Sequence, residues 1–92
     1  VWAWNAMIAA VCGDTVIWKG SELTPLTSIA CLKIANAPLR RAGFEGVFCL
    51  ITGSGQTLGA KLSADTRIPL ISATGSTAMG RSVGTTVAQR FG

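Results

Sequence analysis

The chain has 92 residues, with eight Lys and Arg against four Asp and Glu for a net charge of +4, and 49% apolar against 13% charged residues. A domain this short buries only about 60–65% of the surface its unfolded chain exposes, and so few charges leave much of the rest without polar cover. Histidine is absent, which excludes Ser-His-Asp and Cys-His pairs and leaves only thiols, carboxylates and hydroxyls as metal ligands or bases.

The apolar run 1–12 is too short to span a bilayer, carries Asn5 and lacks a basic start. It reads as a buried helix, not a signal or membrane segment. Since its first residues already read as core, the chain is expected to be a piece of something larger. Three short apolar runs follow, 15–18 (TVIW), 47–52 (VFCLIT) and 68–73 (IPLISA). Their continuous hydrophobicity predicts strands of a parallel sheet covered on both faces. Between the first two, Thr24 and Pro25 form a helix start, and Leu26, Ala30, Ile34 and Ala37 recur at helical spacing up to Pro38. A second helix opens within 56–59 and runs to about Ser63. A third follows Gly75 and Ser76, with Met79, Val83 and Val87 on one stripe and Phe91 closing it. Gly80 and Gly84 each weaken that helix by about 1 kcal/mol relative to Ala, which predicts a close helix-to-strand contact there.

Alternation of helix and strand predicts right-handed crossovers. The fold class is therefore α/β: part of a doubly wound, Rossmann-like parallel sheet of three strands, with 1–92 forming one unit or a piece of one. Cys12, Cys31 and Cys49 are odd in number and form no C-x-x-C pair, so neither a disulfide framework nor a metal site is expected. Each lies in an apolar stretch and should be a small buried hydrophobe. Reduced thiols and no secretory leader point to the cytoplasm. The basic residues are dispersed, which argues against nucleic acid as a partner.

In an open α/β sheet, ligands gather outside the carboxyl ends of the strands. The loops expected there are Lys19, Gly20, Ser21 and Glu22; then Gly53 to Gly59 (GSGQTLG); then Thr74 to Thr77 (TGST). In the third, Gly75 and Ser76 place backbone N–H groups and a hydroxyl at the start of a helix, a setting suited to phosphate, although a simple capped turn would read the same way. G-S-T-A-M-G-R-S (75–82) also comes within one residue of a phosphate-binding loop of an NTPase, with Arg81 where Lys is required. The second loop misses the dinucleotide fingerprint by one residue. In the first, Glu22 can accept from both hydroxyls of a ribose, with Lys19 donating to the same sugar or offsetting the carboxylate. A 2′-phosphate beside Glu22 would be repelled by about 4 kcal/mol per unit charge at 4 Å, favouring NAD over NADP. Alternatively, Glu22 belongs to the first turn of the next helix and complements its dipole.

Taken in order, WKGSELTPL (18–26), TGSGQTLG (52–59) and ATGSTAMGR (73–81) resemble the cofactor-binding half of the NAD(P)-dependent aldehyde dehydrogenase superfamily. VWAWN (1–5) with CGDTVIWKG (12–20) resembles its antiquitin-like branch, whose members oxidise α-aminoadipic semialdehyde or its cyclic imine, piperideine-6-carboxylate. The resemblance implies NAD as cofactor, with Lys19, Ser21 and Glu22 at the adenosine ribose and Gly20 standing where the family usually has Pro. It places Gly55, Gly59 and Ala60 beside the adenine, and Gly75 and Ser76 at the pyrophosphate. Asn5 stands only fourteen residues before Lys19, too close to match the family's oxyanion Asn, and is expected on the helix behind the site. None of the three cysteines matches the family's nucleophile, and the general base likewise falls outside the matched segments. The resemblance thus implies a partial cofactor-binding domain, inactive alone, whose partners are NAD and the rest of a subunit that forms a homo-oligomer. A non-enzymatic α/β interaction module and a nucleoside-triphosphate-binding piece remain as alternatives.

Overall fold

A computed structural model describes residues 1–91; Gly92, the last residue of the expected 1–92 unit, lies outside the described residues. The chain divides into two compact units, Val1–Gly53 and Ser54–Gly92.

In the first unit, helix α1 (Trp2–Val11) leads to strand β1 (Val16–Lys19), helix α2 (Pro25–Arg41) and strand β2 (Phe48–Ile51). The strands pair in parallel, with Val16 opposite Phe48 and Lys19 opposite Ile51, and α2 supplies the crossover that parallel neighbours require. Both helices stop by the same device. Gly13 and Gly43 take φ of +90° and +87°, a conformation that a Cβ penalises. Gly43 N–H then donates to the Arg40 carbonyl at 3.0 Å and Phe44 N–H to that of Leu39 at 2.8 Å; Gly13 and Asp14 do the same to Ala10 and Ala9. These paired bonds satisfy carbonyls that a helix end otherwise leaves open. With that cap in place, α2 continues past its expected end, carrying Pro38 in its last turns.

Trp2 stacks on Trp18 with ring centroids 4.4 Å apart and meets Phe48 edge-on at 5.7 Å. Asn36 Nδ2 donates to the Phe48 carbonyl at 3.1 Å and ties α2 to β2. Ala6 and Phe48 are the buried apolar residues. The buried-helix expectation for α1 therefore holds only at Ala6, because Trp4, Ile8 and Val11 are exposed: two short strands offer too narrow a face to cover an apolar helix. The α2 stripe is also reversed. Leu26 and Ile34 face outward, and the covered side is Ser28, Leu32, Ala35 and Leu39. Both faces of α2 are apolar, so periodicity alone did not choose between them. Cys12 and Cys49 are exposed and Cys31 is half-buried, all as free thiols, contrary to the expected burial and for the same want of covering surface.

The second unit has a π-helical turn (Gly55–Gly59) running into helix α3 (Ala60–Ala64), followed by helix α4 (Thr77–Gln89). Ser54 begins the turn, its Oγ accepting from Thr57 N–H at 3.1 Å. The third expected strand does not form: the sheet has two strands, and residues 68–73 join no ladder. Pro69 has no N–H to donate, and among the described residues the second unit contains no other strand to pair with. Helix α4 packs on α3, and its expected stripe of Met79, Val83 and Val87 is half-buried. Phe91 does not close that stripe; its φ of +57° accompanies full exposure. A Cβ at Gly80 or Gly84 would meet nothing within 4 Å, so the close contact expected of these glycines is not made. The unit is fastened by Arg90, whose guanidinium donates to the carbonyls of Asp65 at 2.5 Å and Ile68 at 2.8 Å.

Candidate functional site

The first loop is a tight turn leaving β1. Ser21 Oγ accepts from Leu23 N–H at 3.2 Å, and the Ser21 carbonyl accepts from Thr24 N–H at 3.2 Å, which closes the turn just before α2. Glu22 sits at its exposed tip. The first turn of α2 contains no acidic residue, so the reading of Glu22 as a dipole-complementing helix residue does not hold. Lys19 Nζ donates to the Gly20 carbonyl at 2.9 Å, and the one ion pair among the described residues is Arg67 with Asp65. Lys19 therefore does not offset Glu22, whose carboxylate is left open to a hydroxyl-bearing ligand.

In the second unit, Gly55 and Gly59 bound the π-helical turn and Ala60 opens α3. Gly59 N–H reaches the Ser54 carbonyl at 3.1 Å, and the Gly59 carbonyl accepts from Ser63 Oγ at 3.0 Å. The third loop ends in Ser76, which caps α4: its Oγ accepts from Met79 N–H at 3.1 Å. That bond uses the hydroxyl as acceptor and leaves its proton free to donate. The N–H groups of Thr77 and Ala78, at the first two helical positions, have no carbonyl within the helix to reach. A polar cap and an anion-holding helix start are thus compatible at the same residue. A Cβ at Gly75 would approach Met79 Cε at 2.5 Å, but that is the movable end of a flexible side chain.

The nucleoside-triphosphate alternative fails on this geometry. A phosphate-binding loop keeps its backbone N–H groups free until the Gly-Lys pair that opens the helix. Here α4 already begins at Thr77, so Gly80, Arg81 and Ser82 lie inside it with their N–H groups committed to helical bonds.

Asn5, on α1 as expected, donates from Nδ2 to the Val1 carbonyl at 3.3 Å. Two clefts in the first unit, one of about 240 Å³ including Asn36, Arg40 and Cys49 and one of about 410 Å³ including Met7, Leu39 and Phe48, involve none of the expected site residues. Sequence reasoning missed Ser54 and Ser28. The Ser54-x-x-Thr57 spacing was a readable cap signal; the buried Ser28, a polar residue inside an apolar helix, carried no comparable mark.

The family model for the aldehyde dehydrogenase family matches residues 1–92, and the chain belongs to that family. Over 92 residues it is 44% identical to aldehyde dehydrogenase family 7 member A1 of Pisum sativum, 42% to aldehyde dehydrogenase family 7 member B4 of Arabidopsis thaliana and 39% to alpha-aminoadipic semialdehyde dehydrogenase of Bos taurus. Each match covers all of this chain but only 18%, 18% and 17% of the relative, so the chain spans less than a fifth of their length. No solved structure matches it at a significant level.

Proposed function

We propose that the chain forms the adenosine and pyrophosphate side of the NAD site in an aldehyde dehydrogenase that oxidises α-aminoadipic semialdehyde, or its cyclic imine, to the carboxylic acid. The observation that carries this reading is the 39% identity, along the whole chain, to a relative named for that substrate. The local geometry fits the cofactor. Glu22 offers an exposed, unpaired carboxylate to the ribose hydroxyls, and Lys19 flanks it. Ser76, with its hydroxyl proton free, and the open N–H groups of α4 offer donors to the pyrophosphate. Gly55, Gly59 and Ala60 border the adenine. When bound, NAD supplies the hydride acceptor; these residues bind and orient it and discourage a 2′-phosphate.

The nucleophilic thiol and the general base come from other segments of the subunit, and residues 1–92 belong to one cofactor-binding domain within it. Apolar surface such as Leu26 and Ile34 on α2 and Trp4 on α1 is then covered by that subunit, as exposed patches of this kind usually mark an interface. The 92 residues alone should give no NAD-dependent aldehyde oxidation. In the subunit carrying this segment, titration calorimetry should show Glu22→Ala weakening NAD by about tenfold or more, as expected for lost hydrogen bonds to a charged group, with a smaller preference over NADP. NAD affinity indifferent to that change, or no turnover of α-aminoadipic semialdehyde, would overturn the reading.

A further inference from the structure

Gly20 opens the turn that presents Glu22, yet its φ is not in the left-handed region, so the backbone there would accept an ordinary residue. Space is what excludes a side chain. A Cβ built on Gly20 collides with Ser28 Oγ, lies 3.3 Å from Ser28 Cβ and reaches 3.6 Å from the Trp18 ring. Gly20 therefore faces the first turns of α2. Ser28 is buried at 4% exposure, and its Oγ donates to the Thr24 carbonyl at 3.5 Å while its N–H donates to the same oxygen at 3.4 Å. One side chain thus touches both ends of the turn: Gly20, where it leaves β1, and Thr24, where it enters α2. Ser21 and Glu22 are held between these two points.

We propose that Ser28 is a positioning residue for the Lys19–Glu22 turn, acting through the notch that Gly20 leaves for its hydroxyl. This rests on the cofactor reading above, with Glu22 as the group positioned. A side chain at position 20 would push Ser28 aside or lift the turn from α2, displacing the Glu22 carboxylate from the ribose. Such displacement weakens binding without touching any ligand atom.

The test is a double-mutant cycle in the dehydrogenase subunit carrying this segment, read as NAD dissociation constant and steady-state kinetics. Gly20→Ala should weaken NAD about tenfold, in line with overpacking of a filled site. KM for NAD should rise, with kcat at saturating NAD and KM for the aldehyde little changed. Ser28→Ala removes the colliding oxygen and leaves the Cβ of position 28 at 3.3 Å and the Trp18 ring at 3.6 Å. In that background Gly20→Ala should have no further effect, a coupling that independent sites do not show. The inference is overturned if Gly20→Ala binds NAD like the parent, if its loss persists in the Ser28→Ala background, or if kcat and thermal midpoint fall with no selective change in KM for NAD. Glu22→Ala separates the two claims. If it too leaves NAD affinity unchanged, the cofactor reading fails and takes this inference with it; if it weakens NAD while Gly20→Ala does not, the positioning role fails alone.

Discussion

The two units show how differently a short chain can be held together. Val1–Gly53 has a hydrogen-bonded parallel pair, an aromatic cluster of Trp2, Trp18 and Phe48, and two glycine-capped helices. In the second unit no strand occurs among the described residues; α4 rests on α3, and Arg90 pins the turn between residues 65 and 68. Apolar packing with a ladder secures the first, and side-chain bonds to loop carbonyls the second. Substitutions in the aromatic cluster should therefore act on one unit and those at the Arg90 clamp on the other.

The largest effect is expected at Phe48. It is 5% exposed, touches Trp2 and lends its carbonyl to Asn36. Phe48→Ala should destabilise the first unit by about 3 kcal/mol or more, seen as faster amide exchange across β1 and β2 with exchange in α4 unchanged. Arg90→Ala should do the converse by about 2 kcal/mol, since charged-donor hydrogen bonds are among the stronger ones, freeing the amides of 65–68 and sparing the sheet. Simultaneous loosening of both units by either change would break the division.

The same contrast explains what could be read from the sequence. Starts marked by local signals were legible, with Thr24 and Pro25 opening α2 and Ser76 opening α4, whereas the end of α2 was placed too early, at Pro38, because the Gly43 cap lets the helix run on to Arg41. Residues 68–73 were misread because a strand requires a partner, and an apolar run with β-branched residues says nothing about whether one is in reach. The stripe of α2 was misassigned because Leu26 and Ile34 on one face and Leu32 and Leu39 on the other are equally apolar. Residues 20–24 and 74–76 were legible as loops because they carry Gly, hydroxyls and charge. The contact between Gly20 and Ser28 was not, since eight positions separate them and steric fit leaves no mark on composition.

Glycines sharpen the comparison at smaller cost. Gly43→Ala forces a Cβ into φ of +87° with no neighbour to blame, and should destabilise the first unit by about 1–2 kcal/mol from backbone strain alone. Gly80→Ala lies in the interior of α4 with open space around the new Cβ, and should stabilise the second by about 1 kcal/mol. Opposite shifts in thermal midpoint are the expected result; a loss at Gly80 would mean that its face of α4 is packed against something.

Acid should have the smallest effect, confined to one turn. The Arg67 guanidinium, bonded to the Asp65 carboxylate at 2.6 Å, lowers the Asp65 pKa from its ordinary 3.8 to about 2. Because the folded value is the lower one, this pair's contribution is present above 3.8 and is lost as pH falls through about 2. Its worth is small, since Arg67 is 88% exposed and solvent screens such pairs. Arg90 hydrogen-bonds the backbone carbonyl of Asp65, not its carboxylate, and its charge is the least of the influences that lower that pKa, so the hydrogen bonds of the clamp on 65–68 outlast protonation of the pair. Acidification from pH 4 to 2 should therefore move the Arg67 side-chain resonances while leaving amide protection in α4 intact. Loss of α4 protection over that interval would show that the exposed pair, and not Arg90, fastens the second unit.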